Sequence, residues 1–148
     1  MPSDESDDGL KLSSQLCFAV YSAAHAFNAA YKSLLEPLGL TYPQYLVLLV
    51  LWEQDGIMVK DIGRQLNLDS GTLTGILKRL EALGYVSRKR STTDERQLRV
   101  ELTARGAKSV PTSWNRAVHF VCALGGSEER VQELKVAVDQ LNRLLRAA

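Results

Sequence analysis

The sequence predicts a mainly α-helical fold built around one β-hairpin, and three observations predict it. Apolar residues recur at helical spacing near both ends of the chain, for example Val131, Leu134, Val138, Leu141 and Leu145. Two short helical segments meet at the three-residue turn Asn67-Leu68-Asp69. In Gln97–Leu102 the apolar Leu98, Val100 and Leu102 alternate with polar neighbours, as in a half-buried strand. The 148 residues, 45% hydrophobic and 24% charged, suffice for one domain with its own core.

The acidic stretch 1–9, with Asp4, Glu5, Asp7 and Asp8, reads as a disordered tail, leaving 10–148 as a single domain. A helix is expected from Leu10 to about Glu36, stopped by Pro37 and Gly39. Pro43, behind Thr41, suits the first turn of a second helix, which runs through Trp52 and ends before Asp55-Gly56. Ile57–Val59 is a short apolar stretch, Lys60–Leu66 a short helix, and Ser70–Leu83 a helix closed by Gly84. Tyr85–Arg90 and Gln97–Leu102 form the hairpin, with Ser91–Arg96 at its tip. Thr103 caps a helix reaching to about Leu124, and Ser127 caps a last helix ending near Arg146. The 3, 4, 3, 4 spacing of that last helix is a narrow helix–helix seam, which favours a dimer over packing within one chain.

Net charge is only +1, yet it is unevenly placed: residues 1–58 carry 2 basic and 7 acidic side chains, and residues 59–105 carry 10 basic and 6 acidic. A positive middle on a neutral chain concentrates attraction for phosphate there. Two short helices followed by a hairpin form a winged helix-turn-helix over 57–103, flanked by dimerisation helices at 10–56 and 104–148. Its second helix presents Ser70, Thr72, Thr74, Lys78 and Arg79 away from the apolar stripe of Leu73, Ile76, Leu77 and Leu80, toward a DNA major groove. Asp94 and Arg96 sit at the hairpin tip, with Arg88, Lys89, Arg90 and Arg99 on its flanks. An arginine on a projecting tip fits the negative potential of a minor groove. Taken singly, Arg88 or Arg99 also fits a merely solvated face.

Asp94-Glu95-Arg96, followed by Leu102-Thr103-Ala104-Arg105-Gly106, resembles the wing and next helix start of the MarR family of regulators. The resemblance covers nearly the whole chain. It implies a homodimer that represses transcription from palindromic double-stranded operator DNA, with Arg96 in the minor groove and Asp94 bracing the wing through a nearby arginine.

On the first helix Cys17, Tyr21, Ala24, Asn28 and Tyr31 form a second stripe. Tyr31 is about 21 Å from Cys17 along the axis, so the two meet only if a second copy of the helix crosses in the opposite sense. Phenol hydroxyls stabilise a thiolate by donating to it, the early helix turns favour an anion, and an accessible thiolate reacts with peroxide. A quiet packed cysteine between Leu16 and Phe18 is the other reading. Leu16–Tyr21, Tyr31 and Leu40-Thr41-Tyr42-Pro43-Gln44-Tyr45 closely resemble the organic hydroperoxide resistance regulators, a redox branch of the MarR family. That resemblance implies that Cys17 senses organic hydroperoxide and that Tyr31 and Tyr42 of the partner bond it; Tyr21 fits the same pattern. It also implies a resolving role for Cys122, which lies just before Gly125-Gly126 and is otherwise read as a residue packed beside Phe120.

A rival reading keeps the fold and replaces the oxidant by an aromatic ligand bound among Tyr31, Tyr42, Tyr45, Trp52 and Trp114; another makes Cys17 and Cys122 a thiol peroxidase. We expect a regulator rather than an enzyme, with no cofactor and no metal, since His25 and His119 lack ligand-spaced neighbours. With no secretory signal and no apolar run long enough to cross a bilayer, a cytoplasmic protein without membrane contact is expected.

Overall fold

In the computed structural model the described residues are 9–94, 97–109 and 127–148. The acidic tail 1–8, the tip residues Glu95 and Arg96, and the stretch 110–126 with Trp114, His119 and Cys122 lie outside them.

A single 3-10 turn, Leu12–Ser14, precedes helix α1, Leu16–Leu35. The helix therefore begins six residues later than Leu10, because Gln15 is extended (φ −85°, ψ 116°) and acts as its cap. A second 3-10 turn, Glu36–Leu38, leads to Gly39, whose left-handed backbone (φ 70°) bends the chain so that the next helix sets off at 71°. Helix α2, Tyr42–Glu53, then starts on a complete capping box. There the Thr41 side chain accepts from the Gln44 amide, while the Gln44 side chain accepts from the Thr41 amide at 2.9 Å.

Strand β1 (Ile57–Met58), helices α3 (Val59–Leu66) and α4 (Ser70–Ala82), and strands β2 (Val86–Arg90) and β3 (Leu98–Leu102) come next in the chain. The sheet order is β1-β3-β2, all antiparallel, with Ile57 opposite Val100 and Arg88 opposite Val100 on its other side. Asn67, at φ 56°, ends α3, and Gly84, at φ 83°, ends the turn after α4. Helix α5 (Ala104–Lys108) is capped by Thr103, and helix α6 (Glu128–Ala147) by Ser127. Among the described residues no single helix is long and apolar enough to cross a membrane.

Helix α2 is the centre of the core. Its Tyr45, Val47, Leu48 and Leu51 pack with Ile62, Leu73, Leu77, Leu80, Tyr85, Val86 and Val100. An unbroken apolar run, Leu46–Trp52, suits a helix covered on nearly all sides. This segment falls within 10–56, expected as dimerisation helices, and its apolar residues are buried within one chain. The terminal helices are bare over much of their length: Leu16 is 63% exposed on α1, whose far end alone enters the core through Leu35, and Leu145 is 67% exposed on α6, none of whose side chains is buried.

One joint ties the hairpin to α5. The Thr103 hydroxyl donates to the Gly84 carbonyl at 2.6 Å, and the Thr103 amide to the Tyr85 carbonyl at 3.0 Å. Tyr85 donates through its hydroxyl to the Leu38 carbonyl at 2.6 Å, and the Arg105 guanidinium lies 4.7 Å above the Tyr85 ring. From α2, the Trp52 indole N–H donates to the Gly106 carbonyl at 3.0 Å. Gly106 passes so close to this strand that a Cβ would lie 2.2 Å from the Tyr85 carbonyl oxygen. Main chain on both sides cannot yield, so Gly106→Ala is expected to destabilise the fold by about 2 kcal/mol, measured by chemical denaturation. Ala107→Gly, at an exposed position one residue on, serves as the matched control.

Candidate functional site

Two groups of candidate residues have defined surroundings. The first is the surface of α4 and the hairpin. Asp69 caps α4: its Oδ1 accepts from the Thr72 amide at 2.8 Å and its Oδ2 from the Thr72 hydroxyl at 2.9 Å. Those bonds, with the Thr72 main-chain one largest, hold the Asp69 carboxyl below the usual carboxylate range. The Thr74 hydroxyl donates to the Ser70 carbonyl at 2.7 Å. Both hydroxyl protons are thus engaged, which leaves each oxygen as an acceptor toward solvent. Ser70, Lys78 and Arg79 are exposed on the same helix.

On the hairpin the expected set divides. Lys89 pairs with Glu101 at 2.9 Å, and Arg99 donates to the Gly56 carbonyl at 2.9 Å, both on the outer face. Arg88, expected among the DNA-facing residues, has a partner within the chain. It shares the inward face with Val86, and its guanidinium meets Glu81 of α4 at 3.2 Å. Alternation along β2 carries the signal, since every second residue from a buried valine faces inward. At the tip, the Gln97 amide donates to the Asp94 carbonyl at 3.0 Å, closing the loop. Arg96, expected in the minor groove, lies outside the described residues. Asp69 was read from sequence only as part of a turn; Asp-x-x-Thr before an apolar stripe is the cap signature that identifies it.

The second group surrounds Cys17. Its thiol is free and exposed in the first turn of α1. It borders an open groove of about 550 Å³ with Gln15, Leu16, Val20 and Tyr21 of its own helix region and Leu141 and Leu145 of α6. Tyr21, one turn on, meets His25 with ring centroids 4.4 Å apart and the rings inclined at 60°. Tyr31 lies far down the helix with different company. Its ring is 4.7 Å from that of Tyr42 and 5.8 Å from that of Tyr45, and Tyr45 meets Trp52 edge-on at 5.9 Å. One chain therefore brings Tyr31 and Tyr42 together and keeps both away from its own Cys17. Cys122 lies outside the described residues.

Burial pushes the Tyr31 phenol up to about 12, with the neighbouring Tyr42 and Tyr45 adding to the shift. Tyr42 and Tyr45 are raised as well, each chiefly by burial. Because the folded value of Tyr31 lies above the unfolded one, its contribution to stability is complete below about pH 10 and lost as pH rises through about 12. An ultraviolet alkaline titration should show a late phenolate step that Tyr31→Phe removes. If that variant titrates like the wild type, Tyr31 does not occupy the buried cluster.

Comparison with known proteins places this geometry. The model of the SarA/Rot transcriptional regulators matches residues 29–111. Over 100 residues the chain is 65% identical to the HTH-type transcriptional regulator TtmR of Methylorubrum extorquens. That alignment covers 68% of this chain and 51% of TtmR, so the chain spans about half the length of that relative. It is 52% identical, over 68% of each chain, to the organic hydroperoxide resistance transcriptional regulator of Bacillus subtilis. Among solved structures, reduced AbfR bound to DNA superposes with a TM-score of 0.85 at 36% identity, over 96% of this chain and 97% of that one. The disulfide-formed structure of AbfR, a Staphylococcus epidermidis protein, gives 0.68 at 35% identity, over 97% and 96%. With the three-stranded sheet, the α3–α4 pair and these relatives in agreement, the chain belongs to the SarA/Rot-type, MarR-family winged-helix transcriptional regulators.

Proposed function

We propose that this chain is a redox-sensing repressor that binds palindromic operator DNA as a homodimer and releases it when an organic hydroperoxide oxidises Cys17. The observation that carries this reading is the exposed Cys17 thiol in the first turn of α1, set in an apolar groove between α1 and α6. The 52% identity to a regulator named for organic hydroperoxide resistance supports it, as do the reduced, DNA-bound and disulfide-formed structures of AbfR.

The dimer reading rests on the bare faces of the terminal helices. Phe18, Phe27, Leu134, Val138 and Leu145 are exposed in a single copy, and contiguous apolar surface of this kind marks an interface. An antiparallel crossing of two α1 helices brings Tyr31 and Tyr42 of one copy toward Cys17 of the other, which neither can reach within its own chain. Ser70, Thr72, Thr74, Lys78 and Arg79 then face the major groove, while Asp94 and Arg96 belong to the wing at the minor groove.

The chemistry balances. The Cys17 thiolate attacks the outer peroxide oxygen, the O–O bond breaks, and the alkoxide takes a proton to leave as an alcohol, giving a sulfenic acid. The Cys122 thiol attacks that sulfur; an S–S bond forms and water departs. Loss of the tyrosine bonds and movement of the helices change the spacing between the two α4 helices, and with it the fit to the operator. Leu16 and Val20, which line the groove beside the sulfur, favour an apolar hydroperoxide over hydrogen peroxide.

Operator binding by the wild type is expected to weaken at least about tenfold on treatment with cumene hydroperoxide, within the usual range of coupling between two sites. Cys17→Ser should bind DNA equally before and after treatment. In non-reducing electrophoresis the oxidised wild type should run as a dimer-sized band that Cys122→Ser lacks. Release by Cys17→Ser on oxidation would overturn the sensor, and release by an aromatic acid with both thiols blocked would favour a ligand-responsive regulator.

A further inference from the structure

We propose that Glu81 is a positioning residue for operator binding: by gripping Arg88 at two points it locks the wing to the recognition helix, so that both meet DNA as one rigid unit. This rests on the reading of the chain as a DNA-binding regulator.

Glu81 is the penultimate residue of α4, and Arg88 lies near the middle of β2, seven positions on, beyond the turn at Gly84. The two carboxylate oxygens divide the work. Oε2 accepts from the Arg88 main-chain amide at 3.0 Å, and Oε1 accepts from the Arg88 guanidinium at 3.2 Å. A bond to the main chain fixes the strand itself, whereas a bond to a side chain alone leaves the strand free to swing. Both together define distance and angle.

The surroundings reinforce the grip. The Arg88 side chain is only 21% exposed, on the same hairpin face as Val86 and opposite Val100, which are buried in the core. Its guanidinium also sits by the C-terminal end of α4, where the helix dipole favours a cation. The Glu81 carboxyl is held below the usual range, first by the side-chain bond to Arg88 and then by the main-chain one. The outer hairpin face carries a separate cross-strand pair, Lys89 with Glu101. That pair stiffens the hairpin internally and does nothing to orient it on α4. Glu81 joins the hairpin flank to the far end of the helix.

The test uses the full chain and a duplex selected from random DNA by the wild type. Glu81→Gln keeps the size, loses the charge, and is expected to weaken binding about tenfold. Hydroxyl-radical footprinting should show the minor-groove protection at the wing lost, and dimethyl sulfate footprinting the major-groove protection of guanine N7 under α4 retained, with Tm near that of the wild type. Without DNA, hydrogen exchange of the Arg88 amide should accelerate in Glu81→Gln and stay slow in Arg88→Lys, which keeps the main-chain bond. Affinity within twofold of the wild type, or parallel loss of both protections with a fall in Tm, would overturn the positioning role. If the wild type selects no duplex, the regulator reading falls instead, and Arg88 amide exchange still decides whether the grip exists.

Discussion

The hairpin and the helix that follows it are joined at the close approach of Gly106 to the Tyr85 carbonyl, and the bonds around that point depend on it. No side chain fits between them, so the start of α5 and the start of β2 are in contact through main chain. Around that contact, Thr103, Arg105, Trp52 and Leu38 contribute bonds from four directions. Such a joint is stiff: α5 cannot shift without carrying Tyr85, and Tyr85 leads directly into the wing. A packed joint with a few discrete bonds transmits displacement rather than absorbing it. The Leu-Thr-Ala-Arg-Gly stretch is in this sense a mechanical part, with the threonine as cap, the arginine as ring cover and the glycine as clearance.

The local structure was largely legible in the sequence because it is governed by short-range rules. Thr41 with Pro43, Thr103 and Ser127 start helices as capping chemistry requires, and the alternation of Leu98, Val100 and Leu102 marks β3. What was not legible depends on tertiary geometry. The start of α1 moved from Leu10 to Leu16 because an extended Gln15 interrupts a stretch whose apolar spacing alone suits a helix. Arg88 looked like one more cation on a basic hairpin; its inward direction follows from counting by two from Val86, and its partner from the fold.

The site was half legible for the same reason. Helical rise alone separates Cys17 from Tyr31, but the contact of Tyr31 with Tyr42 and Tyr45 depends on the bend at Gly39, which sets α2 off at 71° to α1. Periodicity cannot supply that angle. Likewise Leu141 and Leu145, two members of the spaced set from Val131 to Leu145, border the Cys17 groove, which brings together residues more than a hundred positions apart.

The aromatic cluster has a further consequence. Tyrosines 31, 42 and 45 are all shifted upward, and Tyr31 reaches about 12. An ordinary thiol titrates near 8.5, far below that. Around that value, where an ordinary sulfur gains or loses its proton, the three rings keep theirs, so the charge of the cluster is constant there. Any anion seated against it meets a neutral, proton-bearing surface whose response to acidity is nil, and the variable element of such a pair is the sulfur alone.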